Sequence, residues 1–379
     1  MRRPELQPRI AAVGARVAAL LVVATLLAGG IVGGLLRAAV ALPLPAASTW
    51  PGHAVLAHAF VMICGFLGTV IGIERAVAAK ARLAFAAPVA SAAAGMAALN
   101  GAPALAAWLA VLAALAFVIT HVSMLQRQPE PHIGVLLAGA AAWLVGALLF
   151  ALGGAARGAT AVPFWFAFLI LTIAGERLEM TRLMRRRAGA TGALYAVLGT
   201  LLLGAVLFAL MPSLGAAVFG AALLALAAWL MRHDIARRTL AAQGLSRYMA
   251  VCLLTGYAWL GIAGAAWIAT ALGHPLRDMA LHALGIGFVF SMMLAHAPVI
   301  LPALTRVKVQ FGAWFYLPLA LLHASLAVRT MGAVNADLLR AGALANAVAI
   351  TTFLLTLLAA ALAWRLKHPA EPDAVAAHH

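Results

Sequence analysis

The chain has 379 residues, of which 65% are hydrophobic and 9% charged, and its mean hydropathy is +1.04. This composition excludes a soluble globular domain and predicts a polytopic membrane protein surrounded by the lipid bilayer. The formal net charge of +16 would suit a nucleic-acid-binding protein, but the basic residues lie in short loops between apolar runs. We therefore expect no nucleic acid partner.

The first apolar run begins at Ile10, behind Arg2, Arg3 and Arg9. It is about 30 residues long and has no clear cleavage site, so it predicts a first spanning helix rather than a signal peptide. Cys64 and Cys252 lie in separate apolar segments without CxxC spacing. Disulfide frameworks, covalent haem attachment and zinc ribbons are therefore not supported.

An all-α fold with twelve spans follows when about 20 residues are assigned to each crossing. Proline and glycine turns separate the spans, for example at Asn100-Gly101 and Gly273–Pro275. The chain is predicted to form one transmembrane domain over residues 1–379, with a polar cytoplasmic tail at 367–379. The predicted spans are 11–41, 51–74, 83–99, 103–124, 132–153, 161–180, 191–211, 213–231, 247–272, 278–302, 311–330 and 337–364.

Lys and Arg are distributed unequally between the two sides of this predicted bundle. With a cytoplasmic N-terminus, the inner loops and tails carry 21 of these residues and the outer side carries five. This distribution predicts that both termini are cytoplasmic, in the inner membrane of a bacterium. The cluster of Arg182, Arg185, Arg186 and Arg187 is interpreted as an orientation signal, with a nucleotide or lipid-phosphate patch as the alternative. The five outer residues are Arg37, Arg157, Arg277, Arg329 and Arg340.

A short motif recurs in the second and sixth spans. The segments from Phe66 to Arg75 and from Phe168 to Arg177 both read F-L-x-x-x-I-x-x-E-R. A similar stretch in span 10 begins at Phe288. Matching positions at four-helix intervals suggest a threefold pseudo-repeat of four helices.

In this register, His296 takes the position of Glu74 and Glu176. The repeat therefore predicts an inner polar cluster of Glu74, Glu176 and His296, with His121 at the inner end of span 4. Alternatively, the two Glu-Arg pairs simply end their helices and mark the membrane boundary, since arginine can extend to water.

Four histidines are predicted in the outer half of the bundle. His53 and His58 lie on span 2, His282 on span 10 and His323 on span 11. Ionisable groups in a membrane are costly and usually face the interior of the bundle, where they serve a function.

A haem iron with two axial imidazoles needs histidines from two helices at similar depth. From the helical rise, His282 lies about 6 Å into its span and His58 about 10 Å, while His53 is shallower at about 3 Å. His53 and His58 differ by about 140° around the helix, so they cannot both face one metal. A haem b is the predicted cofactor, with Arg329 near its propionates. Copper bound by three of the histidines is the alternative.

Two segments resemble the NnrS family of twelve-span bacterial membrane proteins. Trp50-x-x-His53 followed by Gly65-Phe66-Leu67 resembles the family's span 2 element. The run from His282-Ala283-Leu284 through Gly287 to Met292-x-Leu294-Ala295 resembles its span 10 element. The resemblance implies a haem- and copper-containing protein of nitric oxide metabolism, and it favours His53 as the span 2 ligand.

The arrangement is also similar to the catalytic subunit of haem–copper oxidases, which has twelve helices and haem ligands on spans 2 and 10. However, the chain has no adjacent His-His pair in span 7 and no His-x-x-x-Tyr in span 6. The oxidase copper site is therefore missing, and oxygen reduction is not expected.

Two other classes of function compete with a haem protein. Twelve spans also suit a secondary transporter, although a threefold repeat and few charged residues in the central helices argue against it. An accessory protein that delivers haem or metal to a respiratory enzyme is the third hypothesis. Respiratory or electron-transfer membrane proteins are the expected partners.

Overall fold

A computed structural model describes residues 6–45, 47–154, 158–181, 189–305 and 307–368, with only the backbone given for 6–13, 15 and 303–305. The described part of the chain is helical and contains no strand, which confirms the all-α prediction. Arg157, the arginine cluster at 182–187 and the tail beyond His368 lie outside the described residues.

Twelve long helices follow one another in the described part of the chain, and a four-residue helix, Ala236–Thr239, lies between the eighth and the ninth. The long helices begin and end close to the predicted spans, because proline or glycine stands at most of the boundaries. Helix α10 consists of Arg277–His282, Ala283–Phe290 and Ser291–Thr305. The other bounds are α1 Leu6–Arg37, α2 Trp50–Ala79, α3 Arg82–Leu99, α4 Pro103–Arg127, α5 Pro131–Gly153, α6 Gly158–Met180, α7 Ala190–Leu210, α8 Pro212–His233, α9 Gly244–Ala271, α11 Tyr316–Thr330 and α12 Ala336–Lys367.

Eleven of the helices among the described residues are long and apolar enough to cross a membrane, so the protein is a multi-pass membrane protein. The exception is α11, which has 15 residues and is extended at each end by a 3₁₀ turn, Ala313–Phe315 and Met331–Ala333. A 15-residue α-helix is about 22 Å long, which is shorter than the hydrocarbon core. The count of twelve spans therefore stays a prediction.

Helix α6 lies at the centre of the bundle. Its most apolar stretch is 78% buried, whereas the corresponding fraction in α7 and α12 is 28%. Sequence neighbours pack side by side through small residues such as Ala110, Ala113 and Ala114 of α4, which let helices approach closely. Helix α2 contacts both α6 and α10, and α12 returns to pack against α1. The space beside α6 at the centre of the bundle is thus enclosed by α6 together with α1, α2, α10 and α12.

Two helices at this centre change from α- to π-helical geometry along their length. The π-helical segments are Val61–Leu67 in α2 and Ala283–Phe290 in α10. π-Helical turns are rare and occur frequently at functional sites, because they rotate the residues that follow. When α2, α6 and α10 are aligned on the predicted repeat, the first residues of the two π-helical segments, Val61 and Ala283, align with Pro163 of α6. The repeat itself stays a prediction.

Candidate functional site

His58 of α2 and His282 of α10 face each other in one half of the bundle. Their ring centroids are 6.3 Å apart and the ring planes differ by 22°. His58 lies three residues before the π-helical segment of α2, and His282 immediately precedes that of α10. We call these two side chains the histidine pair, and the half of the bundle that contains them the His58 half.

Backbone carbonyl groups fix the tautomer of both rings. His58 Nδ1 donates to the carbonyl oxygen of Gly30 at 2.8 Å, and His282 Nδ1 donates to that of Asp278 at 2.9 Å. Because a carbonyl can only accept, Nδ1 carries the proton in each neutral ring and Nε2 keeps its lone pair. Metal-binding histidines are commonly held in this way, with one ring nitrogen donating to a carbonyl and the other free to ligate.

A carboxylate and a guanidinium stand behind His282. Arg329 of α11 binds Asp278 in bidentate fashion, with both N···O distances at 2.9 Å. Asp278 Oδ1 also lies 3.1 Å from His282 Nδ1. A carboxylate at Nδ1 increases the electron density at Nε2 and orients the ring. The sequence indicated Arg329 as a site residue but not Asp278. Asp278 could have been found from its position four residues, or one helical turn, before His282.

A cavity of about 130 Å³ lies beside the histidine pair, and its surface is mainly apolar. Gly34 of α1 forms part of the wall, and a Cβ at this position would lie 2.7 Å from His58 Cε1. Glycine is therefore needed for α1 to approach the ring. Arg329 supplies the charged group of the lining, which otherwise includes Ile31, Met62, Phe166, Phe290 and Ile350.

His53 and His323 lie outside the lining of this cavity. The His53 ring packs against the turn between α3 and α4, where Gly101 has φ +76° and a Cβ would overlap the ring. Trp259 Nε1 donates to His323 Nδ1 at 2.9 Å. His323 therefore carries its proton on Nε2 and offers no free lone pair to a metal.

Two imidazoles, and not three, thus meet in the His58 half. Across the described residues, no group of three or more His, Cys, Asp or Glu side chains is placed to hold a metal ion. The arrangement suits a metal with two axial imidazoles whose remaining ligands come from a macrocycle. It also suits an ion that accepts two ligands.

Charged side chains meet in the opposite half of the bundle. Arg75 Nη2 donates to Glu74 Oε1 at 2.8 Å and to Glu176 Oε1 at 2.9 Å, which links α2 to α6. Arg177 Nη2 donates to His296 Nε2 at 2.8 Å, which links α6 to α10. We call these five residues the charged cluster, and this half of the bundle the Glu74 half.

His121 is fully buried on α4. Its Nδ1 donates to the carbonyl oxygen of Phe117 at 2.8 Å, and its Nε2 has no hydrogen-bond partner among the described residues. The described contacts include no hydrogen bond from His121 to Glu74, Glu176 or His296. The predicted inner cluster is therefore assembled without His121, and with Arg75 and Arg177 at its centre.

A second cavity, of about 430 Å³, extends from the charged cluster into the bundle. Glu74, Glu176 and His296 line its polar end, and the rest of the lining is apolar except for Arg16 and Thr172. Leu67 and Phe290 border both this cavity and the one beside the histidine pair. The two cavities are thus neighbours on the axis enclosed by α2, α6 and α10.

Fold and site together define an all-helical, multi-pass membrane protein with polar side chains in both halves of its centre. The model of the family described as Domain of unknown function (DUF8744) matches residues 16–362, which is almost the whole chain. The protein therefore belongs to this family. Comparison with curated proteins and with solved structures gives no match.

Proposed function

We propose that the histidine pair binds a haem b, which His58 and His282 would hold through their Nε2 atoms, in a membrane protein that handles nitric oxide or related nitrogen species. The observation that supports this is the spacing of the two rings, 6.3 Å between centroids at an interplanar angle of 22°. Imidazole–metal bonds are about 2.0–2.1 Å long, and each ring centre lies about 1.1 Å beyond its nitrogen. A metal held in the ring planes by the Nε2 atom of each imidazole would therefore require roughly 6 Å between the centroids.

The side chains around the pair have distinct roles in this proposal. The carbonyl groups of Gly30 and Asp278 hold Nδ1 protonated, so that both Nε2 lone pairs are available. Arg329 holds Asp278 in place and adds a positive charge to the cavity wall, which favours propionate groups. A bound haem would supply a one-electron redox centre inside the membrane. The link to nitric oxide depends on the resemblance to the NnrS family.

Copper is a second candidate, favoured by the size of the cavity. A haem is larger than the cavity of about 130 Å³, so its entry requires the surrounding helices to separate. A single ion fits without this change. The Met62 thioether also lines the cavity, and imidazole and thioether ligands both suit copper(I).

The absorption spectrum and metal content of the purified protein separate these proposals. A haem protein shows a Soret band and about one iron per chain. A copper protein has no Soret band and carries about one copper per chain. A colourless, metal-free preparation that binds neither added haem nor added copper would refute both.

Transport and delivery predict different behaviour of the same preparation. A secondary transporter should drive substrate uptake into proteoliposomes in the absence of any cofactor. An accessory protein should co-purify with a respiratory or electron-transfer complex and pass its haem or metal to that partner. In the proposed haem protein, by contrast, the cofactor stays bound when the protein is isolated alone.

We further propose that the chain crosses the inner membrane of a bacterium twelve times, with both termini in the cytoplasm and α11 as a short eleventh crossing. The excess of Lys and Arg on one side, 21 against five, supports this orientation. The histidine pair then lies towards the outer surface and the charged cluster towards the cytoplasm. The threefold repeat of four helices is part of the same proposal.

A further inference from the structure

The cavity in the Glu74 half has a volume of about 430 Å³. Small-molecule sites commonly measure about 300–1,000 Å³, are mostly apolar and contain a few polar groups at one place. This cavity has the same construction, because most of its lining is apolar and three of its polar side chains, Glu74, Glu176 and His296, belong to the charged cluster. The histidine pair is not part of its lining.

The cavity reaches the lipid-facing surface between α1 and α12. These two helices are held together in the His58 half by the contacts of Leu35 and Ala38 with Ala343. In the Glu74 half, α1 and α12 instead line the cavity, and Leu20 and Leu354 belong to the lining although they are 47% and 44% exposed. A ligand can therefore enter sideways from the membrane, which selects a lipid-soluble molecule.

The carboxylates of the charged cluster favour a ligand that donates hydrogen bonds. Glu74 and Glu176 contribute two formal negative charges, and Arg75 and Arg177 contribute two positive charges, so the charged cluster itself is formally neutral. Arg16 of α1 adds one positive charge to the cavity lining. One oxygen of each carboxylate accepts from Arg75, whereas no hydrogen bond among the described residues uses either second oxygen. Ionised carboxylates accept and do not donate.

The remaining walls suit a flat ring with an apolar tail. Phe66 and Phe290 have ring centroids 6.2 Å apart, and both line the cavity together with Phe353 of α12. Aromatic side chains favour stacked or edge-on contact with another ring. Leucine and valine side chains line the path from these rings to the gap beside Leu20.

We propose that this cavity binds a membrane quinol. The quinol hydroxyl groups donate to Glu74 and Glu176, the ring lies near Phe66 and Phe290, and the isoprenoid tail leaves between α1 and α12. The site does not depend on what the histidine pair binds. A quinone, whose ring oxygens only accept hydrogen bonds, binds the same cavity more weakly.

Equilibrium dialysis of radiolabelled decylubiquinol against the purified full-length protein in detergent tests this proposal. We expect saturable binding of one quinol per chain, and affinity for decylubiquinone lower by about tenfold or more. The double variant Glu74→Gln with Glu176→Gln should also lose about tenfold or more in quinol affinity. The control Asp337→Asn, which neutralises a carboxylate in an exposed pair with Arg340, should retain the affinity of the unmodified protein.

A blocking variant keeps the test decisive if the glutamate variant does not fold. Leu20→Trp places a large side chain in the lateral opening and should abolish saturable binding. Leu21→Trp is the matched control, since Leu21 is 63% exposed on the same helix but does not line the cavity. His282→Ala should leave quinol binding unchanged, which separates this site from the proposed haem site.

Three results would overturn the proposal. The first is the absence of saturable quinol binding by the unmodified protein. The second is binding that Leu20→Trp leaves unchanged. The third is a phospholipid that co-purifies in equal amount and that excess decylubiquinol does not displace, since the cavity would then hold a structural lipid.

Discussion

Backbone carbonyl oxygens hold both imidazoles of the histidine pair by their Nδ1 atoms, and a carboxylate supports one of them. Helical spacing alone predicted that His58 and His282 lie at similar depth. It did not predict that Gly30 and Asp278 hold the two rings, because these contacts depend on where α1 runs and on local side-chain rotation. The resemblance to the NnrS family favoured His53 over His58, whereas the structure brings His58 to His282 and packs His53 against Gly101.

Asp278→Asn tests the contribution of the carboxylate behind His282. The change removes the negative charge that Arg329 binds, and Arg329 is only 7% exposed. We expect a loss of about 1–3 kcal/mol in the free energy of unfolding, measured by thermal denaturation in detergent. Affinity for a metal at the histidine pair should fall by about 10–100-fold.

Asp337→Asn is the matched control for this change. Asp337 and Arg340 form an ion pair whose side chains are 86% and 49% exposed. Exposed pairs contribute about 0–1 kcal/mol, so this variant should unfold almost as the unmodified protein does. Equal losses in the two variants would show that the Asp278–Arg329 pair has no special role.

At the scale of helices, α1 supplies the surface against which His58 packs. Gly34 allows this contact, because a Cβ there would lie 2.7 Å from the His58 ring. Gly34→Ala should destabilise the protein by about 1–3 kcal/mol, the usual result of overpacking a buried contact. It should also reduce the amount of cofactor bound, which is measured from the absorption spectrum per mole of protein.

Gly14→Ala on the same helix is the control for Gly34→Ala. No described atom lies within 4 Å of a Cβ at Gly14, so the substitution meets no steric conflict among the described residues. Alanine is favoured over glycine in a helix by about 1 kcal/mol, and we expect unchanged or slightly increased stability. If Gly34→Ala behaved in the same way, α1 would not position His58.

The sequence predicted helix positions well and helix geometry poorly. Apolar runs and proline or glycine breakers fix where a span begins and ends, as at Pro103 and Pro131. The π-helical segments, however, read like any other apolar stretch, because the pattern records hydrophobicity and not backbone hydrogen bonding. The F-L-x-x-x-I-x-x-E-R motif predicted that Glu74, Glu176 and His296 meet, whereas the placement of Arg75 between the two glutamates requires the packed structure.

At the scale of the whole molecule, α11 decides the topology. If this 15-residue helix crosses the membrane, the chain has twelve spans and both termini lie on one side. If it does not, the eleven longer helices leave the termini on opposite sides. Composition cannot separate these cases, because the apolar run at 311–330 is long enough whereas its α-helical part, Tyr316–Thr330, is shorter.

Reporter fusions at both ends of the chain measure this topology. We expect a fluorescent protein to be active at the N-terminus and after Lys367, and alkaline phosphatase to be inactive at both places. The loop before α12, near Val334, should give active phosphatase. An active phosphatase fusion at the C-terminus would show that α11 does not cross and that the count of twelve is wrong.

Helices α2 and α10 together should hold one cofactor between His58 and His282. Absorption spectra and metal analysis of the unmodified protein, His58→Ala, His282→Ala and His323→Ala, at equal protein concentration, test this proposal. We expect a bound haem or copper that is lost in His58→Ala and His282→Ala and retained in His323→Ala. A cofactor retained in full by both His58→Ala and His282→Ala, or lost only in His323→Ala, would contradict it.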